Sequence, residues 1–279
     1  MTDKGKSVIS RGLEIAWKMD DFTDPWRQAE TVLLMHGIAE AGDAFRGWVP
    51  HLARNFRVLR PDFRGYGESS AVADDATLDI ATFADDIEAL VTKLGLTRVH
   101  LVGAKLGAQV ALHLAQRQPK WLASMSLAGV LISPNGALGQ WVDQWIELVD
   151  RTGVQGWAKS TMPGRMGPSL SPEAMQWWED FMGTAPSATV KACFRMLPSL
   201  REPAQLEQII CPTQVLVGMQ KGQSGQFDQR QPLEDVRRWQ SRIPKSSLCE
   251  IQADSYHIAA SHPDVCARAV SSFIQGLSS

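Results

Sequence analysis

Short apolar runs alternate with stretches of helical spacing over much of this 279-residue chain. Thr31–Met35 (TVLLM) is almost wholly apolar and stops at His36-Gly37, as a buried strand does. Residues 56–60 (FRVLR) form a second run, ended by Pro61-Asp62, and residues 99–102 (VHLV) and 122–127 (LASMSL) a third and fourth. Residues 82–94 place Phe83, Ile87, Leu90, Val91 and Leu94 on one face of a helix. Residues 106–117 read as another helix, with Pro119 just past its end. Strands alternating with helices predict an α/β fold with a mostly parallel sheet and helices on both faces. Right-handed crossovers in such a sheet put ligands beyond the carboxyl ends of the strands.

The alternation lapses near Ser133-Pro134. From there to about Pro198 the pattern gives helices and turns, with helices over 141–149 and 172–182 and a Gly- and Pro-rich loop over 162–172 (MPGRMGPSLSP). It returns with strands at 213–217 and 247–251 and helices at 233–241 and 263–274. The expected organisation is an α/β core of residues 1–132 and 200–279, interrupted by an inserted helical lid of residues 133–199.

Composition narrows function by exclusion. The hydrophobic fraction of 44% and charged fraction of 21% are those of an ordinary globular protein. A net charge of −2 gives no reason to expect nucleic acid or a membrane surface as partner. No apolar run approaches the roughly 20 residues of a membrane helix. The first residues, MTDKGKSVISRGLEIAW, lack the apolar core of a secretion signal. A cytoplasmic location is therefore expected; the sequence does not give the oligomeric state, for which a monomer or homodimer is the prior. Cys193, Cys211, Cys249 and Cys266 are scattered without metal-ligand spacing and read as packing thiols. No G-x-G-x-x-G follows a strand, so no cofactor and no metal is expected. Ten tryptophans stand against two tyrosines, and several fall between Trp141 and Trp178.

Four segments together resemble the α/β-hydrolase superfamily. They are LMHGI at 34–38, RPDFRGYGES at 60–69, HLVGAKLGAQV at 100–110 and SYHIAASHPDVCARAVSSF at 255–273. Their order and spacing agree over nearly the whole chain, the lid excepted. The resemblance implies the α/β-hydrolase fold and a small-molecule substrate. It also implies that Gly103-Ala104-Lys105-Leu106-Gly107 is the sharp turn that carries the nucleophile. Here an amine, Lys105, stands where Ser, Cys or Asp is usual.

Three roles for Lys105 follow. A helix N-terminus and burial both disfavour an ammonium, and a neutral amine could attack a ketone or aldehyde as a Schiff-base lyase or decarboxylase does. An ammonium could instead stabilise a carboxylate or an enolate beside the oxyanion hole while His257 activates water. Lys105 could also fill the pocket of a non-catalytic sensor or pseudoenzyme. The leading expectation is an enzyme acting on a small carbonyl compound, plausibly anionic: an ester, a lactone or a keto acid.

By resemblance, His257 is the general base, and the oxyanion-hole donors are the amides of Ile38 and Leu106. The usual position of the acid carries Lys221 in Gly218-Met219-Gln220-Lys221, which shifts the expectation to Asp228, ahead of Pro232 and a helix. Asp254 and Glu234 are weaker alternatives. Asp62 and Arg64 are expected to brace loops. His36, Gly37, Trp141, Trp145, Trp177 and Trp178 are the expected substrate-pocket residues. Arg165, Lys159 and Arg195 are the lid cations that could meet an anion.

Overall fold

A computed structural model describes residues 1–277 apart from 11, 131, 133–138 and 220–230. Its sheet has eight strands in the order β1-β2-β4-β3-β5-β6-β7-β8. β3 (Thr31–Met35), β4 (Arg57–Pro61), β5 (Val99–Ala104), β6 (Leu122–Ala128), β7 (Thr213–Gly218) and β8 (Ser246–Ile251) are parallel. The apolar runs in the sequence match β3 to β7 because parallel strands inside a sheet are covered on both faces, whereas β8 at the edge is only partly buried.

The first two strands, β1 (Thr2–Ser10) and β2 (Leu13–Asp20), form an antiparallel hairpin on the sheet edge. The hydrophobic pattern predicts no strand there. Most of β1 is exposed and carries Asp3, Lys4 and Lys6, the charged composition of a protected edge. Arg60 on β4 ties this edge to the core, pairing Asp20 at 2.7 Å and Asp43 at 2.9 Å.

From β3 the chain moves one way to β4 through the short α1 (Val49–Leu52). It then crosses back over β3 through α2 (Ile80–Lys93) to reach β5. This reversal makes the crevice between β3 and β5 a switch point, where ligands bind in open α/β sheets. With right-handed crossovers the reversal also places α1 and α2 on opposite faces. α3 (Leu106–Gln116) packs with α2, and α9 (Pro263–Gly276) packs with α1. α7 (Leu233–Gln240) joins β7 to β8, and a single turn, α8 (Ile258–Ser261), precedes α9.

Between β6 and β7 the described chain is helical: α4 (Val142–Met166), α5 (Pro172–Gly183) and α6 (Ser187–Met196). α4 bends at Gly153, whose φ is 72°. The loop expected over 162–172 is corrected, because α4 runs through Pro163 to Met166 and only residues 167–171 leave the helix. Met162, Arg165 and Met166 are buried, and that packing outweighs the local Gly and Pro content. No described helix is long and apolar enough to cross a membrane.

Candidate active site

The turn after β5 and the turn after β3 face each other across the switch point. Lys105 sits between β5 and α3 with φ 50° and ψ −105°, a conformation that side chains with a Cβ rarely adopt. Two glycines permit it. A Cβ on Gly103 would lie 2.3 Å from the carbonyl oxygen of Gly107, and one on Gly107 would lie 2.1 Å from that of Met35. The backbone around Lys105 is therefore pressed against β3, and its side chain crosses Gly37.

That side chain ends on a residue the sequence reading did not single out. Lys105 Nζ donates to Glu40 Oε1 at 2.8 Å. The same oxygen accepts from His257 Nε2 at 2.7 Å, and Oε2 accepts from the Gly37 amide at 3.1 Å. Glu40 is buried, yet these partners hold its carboxyl well below the usual carboxylate range. Its one signal in the sequence is an acid placed in the HGIAE turn opposite a lysine in the elbow.

Burial pushes the Lys105 amine down to about 8, while Glu40 pulls the other way. Burial, then the Lys105 charge, pushes His257 down to about 4, so its ring is neutral near pH 7. An ionised Glu40 only accepts, so Nε2 carries the proton and the ring lone pair falls on Nδ1.

His36 shapes the turn. Its Nδ1 lies 2.8 Å from the Gly37 carbonyl oxygen, and its Nε2 accepts from the Phe63 amide at 3.0 Å. Both nitrogens are thus engaged by backbone. Gly37 has a steric role, since a Cβ there would lie 2.7 Å from Lys105 Cε. Among the described residues the amides of Ile38 and Leu106 donate to no backbone or side-chain acceptor, as oxyanion donors require. Asp62 and Arg64 act as braces: Asp62 accepts from the Gly42 and Glu68 amides, and Arg64 pairs Asp86.

The helical segment contributes from above. The amides of Tyr256 and His257 both donate to the Arg165 carbonyl, at 3.1 and 3.0 Å, which fixes α4 to the histidine loop. The Trp178 ring lies 5.6 Å from the His257 ring. Trp177 stacks on Phe181 and lies under Arg46. Trp145 packs with Trp141, Trp157 and Phe194 inside the helical segment. Of the four expected pocket tryptophans, then, Trp178 is the one in ring contact with His257.

Asp228 and Lys221 lie outside the described residues. Asp254 accepts from Ser169, at 3.1 Å from its amide and 2.6 Å from its hydroxyl, and so anchors the segment after α4. Glu234 is exposed in the first turn of α7, away from the buried His257 ring.

Residues 30–171 match the family model described as alpha/beta hydrolase fold. "Putative carbamate hydrolase RutD" of Caulobacter sp. strain K31 is 26% identical over 262 residues, covering 90% of this chain and 93% of that one. The protein of the same name from Rhizobium rhizogenes is 30% identical over 132 residues, 47% of this chain and 50% of that one, so the chain spans about half of that relative. A thermophilic esterase from Thermogutta terrifontis, solved with malate bound, has a TM-score of 0.84 at 24% identity and 99% coverage of both chains. The enol-lactonase of Burkholderia xenovorans LB400 has a TM-score of 0.80 at 19% identity, covering 97% of this chain and 100% of that one. At such identities the two solved structures speak to the fold alone.

Proposed function

This chain belongs to the α/β-hydrolase family, and from that premise we propose that it hydrolyses a small, anionic carbonyl compound with water as the nucleophile. The observation that carries the reading is one buried carboxylate oxygen, on Glu40, shared by Lys105 Nζ and His257 Nε2. It favours Lys105 as an ammonium, while burial and the Lys105 charge leave His257 a neutral base in the same site. The Lys105 ammonium and the amides of Ile38 and Leu106 polarise the substrate carbonyl. Water attacks the carbonyl carbon and gives its proton to His257 Nδ1, while Glu40 stabilises the imidazolium across Nε2. The tetrahedral intermediate then collapses, and the imidazolium returns the proton to the leaving oxygen. The residues of α4 and α5 over His257 serve as the lid.

Lys105 is a poor turnover nucleophile in this scheme, because acyl-lysine is an amide and hydrolyses slowly. The name of the curated relatives supports the class, since a carbamate is cleaved at a carbonyl.

A second reading rests on the amine itself. Pushed down to about 8, Lys105 has a neutral fraction able to form a Schiff base with a keto acid. Borohydride trapping during turnover separates the two. Under the hydrolytic reading no adduct forms on Lys105, and single turnover in H2(18)O places the label directly in the acid product. A reduced keto-acid adduct on Lys105 would overturn it. Ligand binding without turnover across ester, lactone and keto-acid panels would instead assign the chain to a sensor class.

A further inference from the structure

Two buried carboxylates lie near Arg165 and the histidine loop, and each is already engaged: Glu40 by Lys105 and His257, Asp254 by Ser169. Arg165 is 4% exposed, and no described carboxylate lies within 4.0 Å of its guanidinium. Its Nη2 donates to Thr161 Oγ1 at 2.7 Å and its Nε to the Thr161 carbonyl at 3.5 Å. Nη1 has only the thioether of Met182, at 3.6 Å, a weak acceptor. The guanidinium lies 4.5 Å over the Trp157 ring, which fixes its plane. Its own carbonyl holds the His257 amide, so the cation and the general base are in fixed register.

A buried cation without a contacting carboxylate is costly, and burial pushes even this guanidinium down to about 10 against the more distant pull of Glu40. The lid offers contrast, since Lys159 and Arg195 are both exposed. Only Arg165, of the three lid cations singled out in the sequence, turns inward.

We propose that Arg165 is the specificity-determining residue of this site, and that it holds a carboxylate borne by the substrate while Lys105 faces the carbonyl to be cleaved. The substrate class is a small ester, lactone or carbamate that carries a free carboxylate. This assignment rests on the hydrolytic reading above and sharpens it. A guanidinium suits a carboxylate through two parallel N–H donors. A single ionised hydrogen bond of this kind discriminates by about 10- to 100-fold. A purely structural Arg165, held only by Trp157 and Thr161, would discriminate against nothing.

Matched esters test it: the 4-nitrophenyl monoester of succinic acid against 4-nitrophenyl butyrate. The full chain is expected to favour the anionic ester in kcat/KM by about 10- to 100-fold. Arg165→Gln is expected to abolish that ratio mainly through KM, and Arg165→Lys to keep part of it. An unchanged ratio in a folded Arg165→Gln protein overturns the proposal. If that variant does not fold, Arg165→Lys is decisive, and the full ratio retained there overturns it as well. Calorimetric titration with malonate, succinate and glutarate separates this proposal from the hydrolytic reading. A dicarboxylate that binds at least tenfold more weakly to the variant supports the carboxylate site even if no ester turns over. Ester turnover without any dicarboxylate binding retains hydrolysis and rejects the carboxylate site.

Discussion

Lys105 and Glu40 meet at 2.8 Å across the crevice between β5 and β3, each delivered by the turn that ends its strand. The pairing explains how a long cation is tolerated in the tight turn between β5 and α3. The elbow backbone is left-handed at Lys105, and Gly37 leaves the groove through which the side chain runs. Glu40 then absorbs the charge and also binds the histidine, so the elbow, the β3 turn and the histidine loop share one oxygen.

Glu40→Gln should be more damaging to the fold than an ordinary surface change. The amide carries one oxygen for two donors and turns its own N–H groups toward a third partner. Breaking a buried ion pair from one side costs about 3–5 kcal/mol. Urea unfolding at pH 7 is expected to show a loss of that order, together with loss of turnover. A loss below about 1 kcal/mol would mean that the pair is open to water, as surface pairs are.

The shifts at Lys105 and His257 set a pH window. An amine at about 8 in the folded protein, against 10.5 ordinarily, means that the unfolded chain holds more protons between those values. Stability from this group therefore rises with pH from about 8 to 10.5. His257 at about 4, against 6.5, works through the acid range: stability falls as pH drops from 6.5 toward 4. Each is worth on the order of 3 kcal/mol. The hydrolytic reading needs Lys105 charged and His257 neutral, so kcat should form a plateau bounded near pH 4 and pH 8. A kcat that climbs through pH 8 would favour the neutral amine as nucleophile.

Much of this architecture is legible in the sequence, for identifiable reasons. The strands β3 to β7 are mostly buried and read as apolar runs, while the edge strand β8 is only partly covered. Lys105 and His257 are legible because the elbow glycines and the last loop mark their positions. The β1–β2 hairpin is not, because an edge strand with Asp3, Lys4 and Lys6 has no apolar alternation to find. Glu40 is not, because its partners lie 65 and 217 residues away and meet it only once β3 and β5 are neighbours. Arg165 is legible as one of three lid cations, and only burial separates it from Lys159 and Arg195.

Glycine substitutions should separate the chemistry from the fold. A Cβ on Gly37 would meet Lys105 Cε at 2.7 Å and Glu40 Oε1 at 2.8 Å, both on side chains that can shift. Gly37→Ala is expected to cost about 1–3 kcal/mol and to lower kcat/KM by more than tenfold, as the ammonium is displaced. At Gly107 the clash is with the Met35 carbonyl, which the sheet holds in place. Gly107→Ala should lose the cooperative melt altogether. Equal thermal unfolding of the two variants would contradict this division.

Returning a serine to the elbow should not by itself recreate a serine hydrolase. In Lys105→Ser the Glu40 carboxylate loses its cation and stays buried, with His257 Nε2 still directed at it rather than at the new hydroxyl. The expected result is a destabilised protein that a fluorophosphonate probe labels slowly or not at all. Lys105→Ser combined with Glu40→Gln removes both charges together. Deleting a whole buried pair is far less costly than deleting half of it. The double variant should therefore unfold at higher urea than either single variant, with a coupling energy of about 1–3 kcal/mol. It should also label faster, because His257 Nε2 is no longer held by an anion. Additive losses in this cycle would show that Lys105 and Glu40 do not stabilise one another, and equal labelling of single and double variants would show that Glu40 does not restrain the histidine.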